Sequence, residues 1–310
     1  MKPNTTVILD PQPKTISTTL AWIILIGLAM IWGSSFILVK RGLEAFSPLQ
    51  VAAIRTTVGF LVLSIYAVWV IQKVPRQKLV FLFLSGMMGV FIPAFLFSFA
   101  QTKLSSSLAG ILNALTPLFT LLIGIVFYQQ KGNSAKYWGV FLGLIGSVGL
   151  SLVSAKSGSL GFNSYIFLVV IATILYGTNV NLVKHYLNDI KPIYVSTLSL
   201  FCIGPLALLT FWQTDVITTL QTQKGSGQSF MYLVLLGTFS TAIATIFFNY
   251  LLQVSSAVFA SSVTYLIPIV AIIWGFLDKE SLHWSHLLCF GFILLGVWLV
   301  NKPSKNLIEK

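Results

Sequence analysis

Charge is what this chain has least of. Asp, Glu, Lys and Arg make up 8% of its 310 residues, against roughly 25% in a soluble globular domain. So few charges cannot cover the surface of a water-soluble fold. Acids are the scarcest, seven against 19 Lys and Arg. All seven, Asp10, Glu44, Asp189, Asp215, Asp278, Glu280 and Glu309, fall outside the long apolar runs. That removes the buried carboxylate on which proton- and sodium-coupled carriers often rely. It also removes the embedded acid pair of a hydrolase. The two cysteines, Cys202 and Cys289, stand 87 residues apart in separate runs and frame neither a disulfide nor a metal site. Of the three histidines, His185 stands alone, and His283 and His286 lack further ligands nearby. There is no Gly-x-Ser-x-Gly elbow and no His-Glu-x-x-His. No catalytic residue, cofactor or metal is expected, and an enzyme is disfavoured.

What is present is apolar sequence, 56% of the chain. It recurs in ten spans, near 20–40, 48–71, 79–101, 104–127, 137–154, 162–184, 193–213, 229–252, 255–277 and 284–301. Most approach the ~20 residues a helix needs to cross a ~30 Å hydrocarbon core. The expected fold class is an all-α membrane protein with ten transmembrane helices. After a polar, proline-bearing start, the first span is full-length with no small-residue cleavage site and reads as retained, not as a removable signal peptide.

The net charge of +12 has a topological distribution. With ten spans both termini share a side, and that side carries twelve Lys and Arg against six on the other, Arg55 lying inside a span. Basic loops stay cytoplasmic during insertion, so both termini are expected inside. No basic run is interleaved with aromatics as on a nucleic-acid surface, so none is expected as a partner.

The chain is also written twice. Residues 32–51 overlie 176–195 at an offset of 144 with seven of 20 positions identical, among them Gly33/Gly177, Lys40/Lys184 and Pro48/Pro192. Further on, Gln101 meets Gln253, Ala109 meets Ala260, Pro117 meets Pro268 and Gly124 meets Gly275 at offsets of 151–152, because the polar stretch 213–229 is longer than its counterpart 72–78. The expected organisation is a tail over 1–19, a first repeat over 20–154, a second over 162–301 and a tail over 302–310. Five spans per repeat is an odd number, so the second copy enters the membrane from the opposite face. Inverted repeats of this kind suit alternating access around a central site.

The motifs within these repeats resemble the two EamA units of the drug/metabolite transporter superfamily. The first unit carries Trp32-Gly33-Ser34-Ser35-Phe36, Lys40, Pro48, Arg55, the run from Gln101 to Ala109, and Pro117. The second carries Tyr176-Gly177-Thr178-Asn179, Lys184, Pro192, Leu252-Gln253-Val254-Ser255-Ser256-Ala257, Pro268 and Glu280. The chain departs from the family pattern in two places. Tyr128-Gln129-Gln130-Lys131 lacks the acid usual after the fourth span, and Ser199 stands where the first unit has Arg55. The resemblance implies a cavity between the first, third, fourth, sixth, eighth and ninth spans, and outward transport.

Polar residues inside apolar spans are the candidates for a path, since each costs free energy unless paired or wetted. They are Ser34 and Ser35, Gln101, Asn113 and Thr116, Asn179, Asn249, Thr264, with Ser261 and Ser262 in the ninth span. Trp32, Tyr176, Tyr250 and Tyr265 offer an amphipathic aromatic wall; Trp32, about 18 Å into its helix, is too deep for an interfacial belt. Trp69, Trp138, Trp212 and Trp284, near span ends, suit that belt instead. A single Ser or Thr is more simply a bond across a helix interface, whereas Asn113 and Asn179, each matched by a polar residue in the other repeat, point to the path. Pro117 and Pro268 are candidate hinges, each removing a helical hydrogen bond. Arg55 is the one intramembrane charge: either it contacts an anion or it clamps neighbouring helices, snorkelling toward the surface.

These residues lead to a transporter of a small organic metabolite such as an amino acid or nucleoside, working by alternating access. The lack of buried acids favours a neutral or zwitterionic cargo. A passive channel is the other alternative. The expected partners are that small molecule and the lipid bilayer of the cell membrane, with a homodimer left open.

Overall fold

The computed structural model describes residues 17–129, 134–153, 163–254, 260, 263–280 and 283–301. The tails, the Ser255-Ser256-Ala257 motif, Ser261 and Ser262 therefore lie outside the described residues. Among the described residues there is no strand. Ten helical spans follow in order: α1 Thr18–Gly42, α2 Pro48–Lys73, α3 Arg76–Ala100, α4 Ser106–Tyr128, α5 Ser134–Val153, α6 Tyr165–Tyr186, α7 Pro192–Gln213, α8 Ser226–Val254, α9 Val263–Leu277 and α10 Trp284–Asn301. At 25 residues, α1 reaches about 37 Å, enough to cross a bilayer. The chain is a multi-pass membrane protein built from two inverted five-helix repeats.

Local chemistry sets the helix starts. Ser47 and Gln50 form a capping box at the head of α2, with Pro48 in its first turn, where a missing N–H costs nothing. Ser105 caps α4 by accepting from the Leu108 N–H at 3.3 Å. The outward faces remain apolar and exposed, as lipid contact requires, and Trp69, Trp138, Trp212 and Trp284 are all exposed near helix ends.

The duplication is legible in packing. A Cβ on Gly33 would sit 2.5 Å from Val270 of α9, and one on Gly177 would sit 2.9 Å from the Phe119 carbonyl carbon of α4. Val270 and Phe119 are themselves counterparts, 151 residues apart. Likewise Gly86 of α3 abuts the Ser199 carbonyl of α7, and Gly237 of α8 abuts the Arg55 carbonyl of α2. Between the last helices of the two repeats, Gly146 of α5 lies against the Cys289 carbonyl of α10 (2.7 Å to an added Cβ), and Gly296 of α10 against the Gly139 carbonyl of α5 (2.5 Å). Such close backbone approach is how apolar helices associate where burial from water supplies no drive.

Three features depart from the sequence reading. The stretch after α7, expected as a polar loop, holds a short helix, Val216–Thr222. It is pinned by the buried Gln50, whose Nε2 donates to Thr214 O and Thr219 Oγ1 at 2.7 Å each. Helix α4 is not continuous: Ser106–Asn113 and Thr116–Tyr128 are separate α-segments. Pro117 therefore opens a new segment rather than kinking the interior of an old one, while Pro268 stays within α9. The carbonyl of Asn113 that Pro117 cannot serve accepts instead from Thr116 Oγ1 at 2.9 Å. Finally, α3 and α8 each contain a π-helical stretch, Met87–Phe91 and Leu236–Ile243, at equivalent places in the two repeats. π-bulges are rare and concentrate at functional sites.

Candidate functional site

Both π stretches face the same central cavity of about 140 Å³. The extra residue per turn rotates the following side chains, so Gly89 and Val90 from α3 and their counterparts Ser240 and Thr241 from α8 reach its wall. The Ser240 carbonyl accepts from Trp32 Nε1 at 3.1 Å, which ties the indole of α1 to α8.

The structure brings most of the expected residues to this wall. Trp32, Ser35, Gln101, Asn113, Thr116, Tyr176, Asn179 and Thr264 line it, and so does Arg55. The repeat pairs Trp32/Tyr176, Ser35/Asn179 and Asn113/Thr264 all meet there. Arg55 points inward rather than snorkelling to the surface: its Nε and Nη2 both reach Thr241 Oγ1 at 3.4 Å. Four expected residues lie elsewhere. Ser34 accepts from Trp274 Nε1 of α9 at 2.7 Å; it lies about 100° round the helix from Ser35, toward α9 and off the wall. Asn249 donates to Ser196 Oγ of α7 at 2.7 Å. Tyr265 packs into the apolar cluster around α4, and Tyr250, partly exposed on α8, is not on the wall. Pro117 and Pro268 are buried and do not line it.

Sequence reasoning missed the phenylalanine and aliphatic part of the wall. Phe97 stacks on Tyr176 at 6.1 Å and meets Phe36 edge-on at 5.6 Å, while Phe248 lies 5.2 Å from Trp32. Phenylalanine is frequent in this chain, 24 residues, so composition gave no means of choosing these. Thr241 and Thr245, also on the wall, lie within the apolar span of α8 and were available to the same polarity argument that found Asn113.

Four buried amide atoms of residues on the cavity wall have no hydrogen-bond partner: Nε2 and Oε1 of Gln101, Oδ1 of Asn113 and Oδ1 of Asn179. The room for Asn179 comes from Gly89, where any Cβ would collide with its amide. A wall of this kind, aromatic with a few fixed polar groups, is built to hold a small organic molecule.

Next in sequence to Val39 of the cavity wall, Lys40 and Arg41 enter a charge cluster. Lys40 Nζ lies 2.5 Å from Asp278 Oδ2 and 2.8 Å from Glu280 Oε1, and Arg41 pairs with Asp278 and Glu44. Glu280 Oε1 also accepts from Ser106 N at 3.0 Å and Ser106 Oγ at 2.8 Å, and Oε2 from Ser107 N at 3.1 Å and Ser107 Oγ at 2.5 Å. Burial pushes the Glu280 carboxyl up, but the bonds from Lys40, Ser107 and Ser106 outweigh it and hold its pKa down to about 2. The carboxylate thus caps the head of α4, where helix N–H groups favour an anion, and ties α1, α4 and the α9–α10 turn together. Among the described residues, no group of His, Cys and acids is placed to hold a metal.

Ten membrane helices in two repeats around a midplane cavity define a transporter architecture. The EamA-like transporter family matches over residues 19–152 and 163–302, and the chain belongs to that family. It is 25% identical to an uncharacterized transporter of Archaeoglobus fulgidus, over 90% of this chain and 98% of that one. It is 26% identical to the uncharacterized inner membrane transporter YedA of Escherichia coli, over 89% of each. A probable terminal-alkyne amino-acid exporter of Streptantibioticus cattleyicolor is 22% identical over 88% of this chain and 90% of its own length. A solved crystal structure superposes with a TM-score of 0.62 at 16% identity, covering 91% of this chain and 96% of that one, a likeness of fold.

Proposed function

We infer that this transporter carries a small organic metabolite such as an amino acid or nucleoside by alternating access. The observation that carries the reading is the cavity wall, contributed in matched pairs by both inverted repeats and holding amide groups without protein partners. Exchange of the two repeats' shapes would turn such a site from one face of the membrane to the other. At about 140 Å³ the cavity falls below the ~300 Å³ where drug-sized sites begin, which favours a metabolite over a bulky drug. The name of the Streptantibioticus relative supports an amino acid and outward movement, and that of the Escherichia relative supports residence in the cell membrane. The excess of basic residues in one set of loops supports cytoplasmic termini.

Purified protein in vesicles, assayed by counterflow against a metabolite panel, tests this. Saturable exchange of a metabolite is expected, and Asn113→Ala or Asn179→Ala should weaken its apparent affinity roughly tenfold, the loss of one or two buried hydrogen bonds. Non-saturable flux would indicate a channel, and unchanged affinity in both variants would remove these residues from the path.

A further inference from the structure

The one formal charge on the cavity wall has no acid opposite it. Arg55 offers five N–H donors in a planar fork, and the protein engages two of them, both with Thr241 Oγ1 at 3.4 Å, beyond the usual range for such bonds. No Asp or Glu lines the cavity among the described residues. The acids of the charge cluster, Asp278 and Glu280, are already committed to Lys40 and Arg41. A buried cation without a counter-ion is unfavourable in a medium of low dielectric, and an anion seated beside it relieves that penalty. A cationic cargo would deepen it.

The unpartnered amides point the same way. Gln101 and Asn113 are 7% and 8% exposed, so bulk water does not reach them freely, and buried polar groups are normally paired. Their free oxygens, with that of Asn179, are acceptors waiting for donors on the same wall.

We propose that the cavity takes a small organic molecule with one carboxylate, gripped by Arg55, whose own N–H or O–H donors rest on the amides of Gln101, Asn113 and Asn179. One carboxylate fits because the wall holds one cation. The repeat equivalent of Arg55 is Ser199, so the charge lies on one side of a cavity that is otherwise matched across the repeats. The cargo is therefore held in one orientation, with its apolar body against Trp32 and Phe248. This assignment rests on the carrier reading.

The test reconstitutes the full chain in vesicles and measures counterflow of lactate against lactamide and leucine against leucinamide, with isocaproate and uridine alongside. The acids should exchange and their amides should not, and leucine should bind more tightly than isocaproate, which lacks the amine. Arg55→Gln should weaken acid binding roughly ten- to hundredfold and abolish the acid-over-amide preference. Arg55→Lys keeps the charge but loses the fork, so it should keep the preference at reduced affinity, which covers the case in which Arg55→Gln fails to fold. A purely structural role would change the yield of folded protein and leave the acid-to-amide ratio untouched. Equal handling of acid and amide, or a preference that survives Arg55→Gln, overturns the proposal. Exchange of uridine alone also overturns it while leaving the carrier reading standing; absence of saturable exchange for any metabolite overturns both.

Discussion

The C-terminal ends of α1 and α6 are equivalent helix termini held by different chemistry. At the Lys40 end, four charges besides Lys40 and two serine residues knit α1, α4 and the α9–α10 turn together. At the Lys184 end, the position matching Glu280 is Gln129, and Lys184 forms no ion pair among the described residues. That end is held instead by Tyr128 stacked on His185 at 4.0 Å, Phe81 stacked on Tyr186 at 4.4 Å, and one partly exposed pair, Lys78–Asp189 at 2.8 Å. Two copies of one unit have kept their backbone contacts and diverged in their latches. The lesson is that duplicated helices can keep the same packing while the side chains that tie their ends together diverge.

The largest expected effect comes from breaking the stronger latch. Glu280→Gln removes the charge that Lys40 and the head of α4 share. A fully sealed pair broken this way costs 3–5 kcal/mol; with Lys40 34% exposed, about 2 kcal/mol is expected. In a background freed of Cys202 and Cys289, a cysteine placed at Val39, which is 2% exposed, should react faster with a water-soluble maleimide once Glu280 is changed. Unaltered labelling would mean that the cluster does not hold this end shut. Gly275→Ala should act similarly, because its Cβ would overlap Ser107 Oγ and crowd Glu280.

Next in size is Gly89→Ala, which leaves both latches intact and alters the cavity wall. Its methyl group would displace the Asn179 amide, and overpacking of this sort costs about 1–3 kcal/mol. Counterflow affinity should fall while Val39 labelling stays at the wild-type rate, separating site from latch.

The comparison sharpens if the missing acid is supplied. Gln129→Glu places a carboxylate near Lys184 at the position Glu280 holds in the other repeat. Because Lys184 is exposed, a gain of only about 0.5 kcal/mol is expected. It is readable as slower exchange and a small rise in Tm, with no change in cargo preference.

How much of this the sequence carried depends on what each feature rests on. Trp32, Tyr176, Asn113 and Asn179 were legible because depth and repeat pairing are properties of position along the chain. Ser34 was not separable from Ser35, since which of two neighbours faces inward is set by the helix phase against α9. The π stretches were invisible because the shift is a change of hydrogen-bond register that no residue type marks. Phe97 and Phe248 were hidden among many phenylalanines, and Glu280 was visible as a motif residue whose partners, the serines of α4, lie more than 170 positions away.

The smallest expected effect is that of pH on the latch, and its sign follows from Glu280. Its pKa in the folded protein is about 2, below the ordinary value of 4.5. A group whose pKa is depressed on folding stabilises the structure fully above its ordinary value, and the contribution drains away as pH falls toward the depressed one. Reactivity of a cysteine at Val39 should therefore be flat from about pH 5 to about pH 8, after correction for the thiolate fraction, and rise only in stronger acid. A step near neutral pH would require some other titrating group to govern this end. Because Gln129 cannot titrate, Gln129→Glu should give a reporter cysteine near Lys184 a larger acid-side rise than the same reporter shows with Gln129 in place.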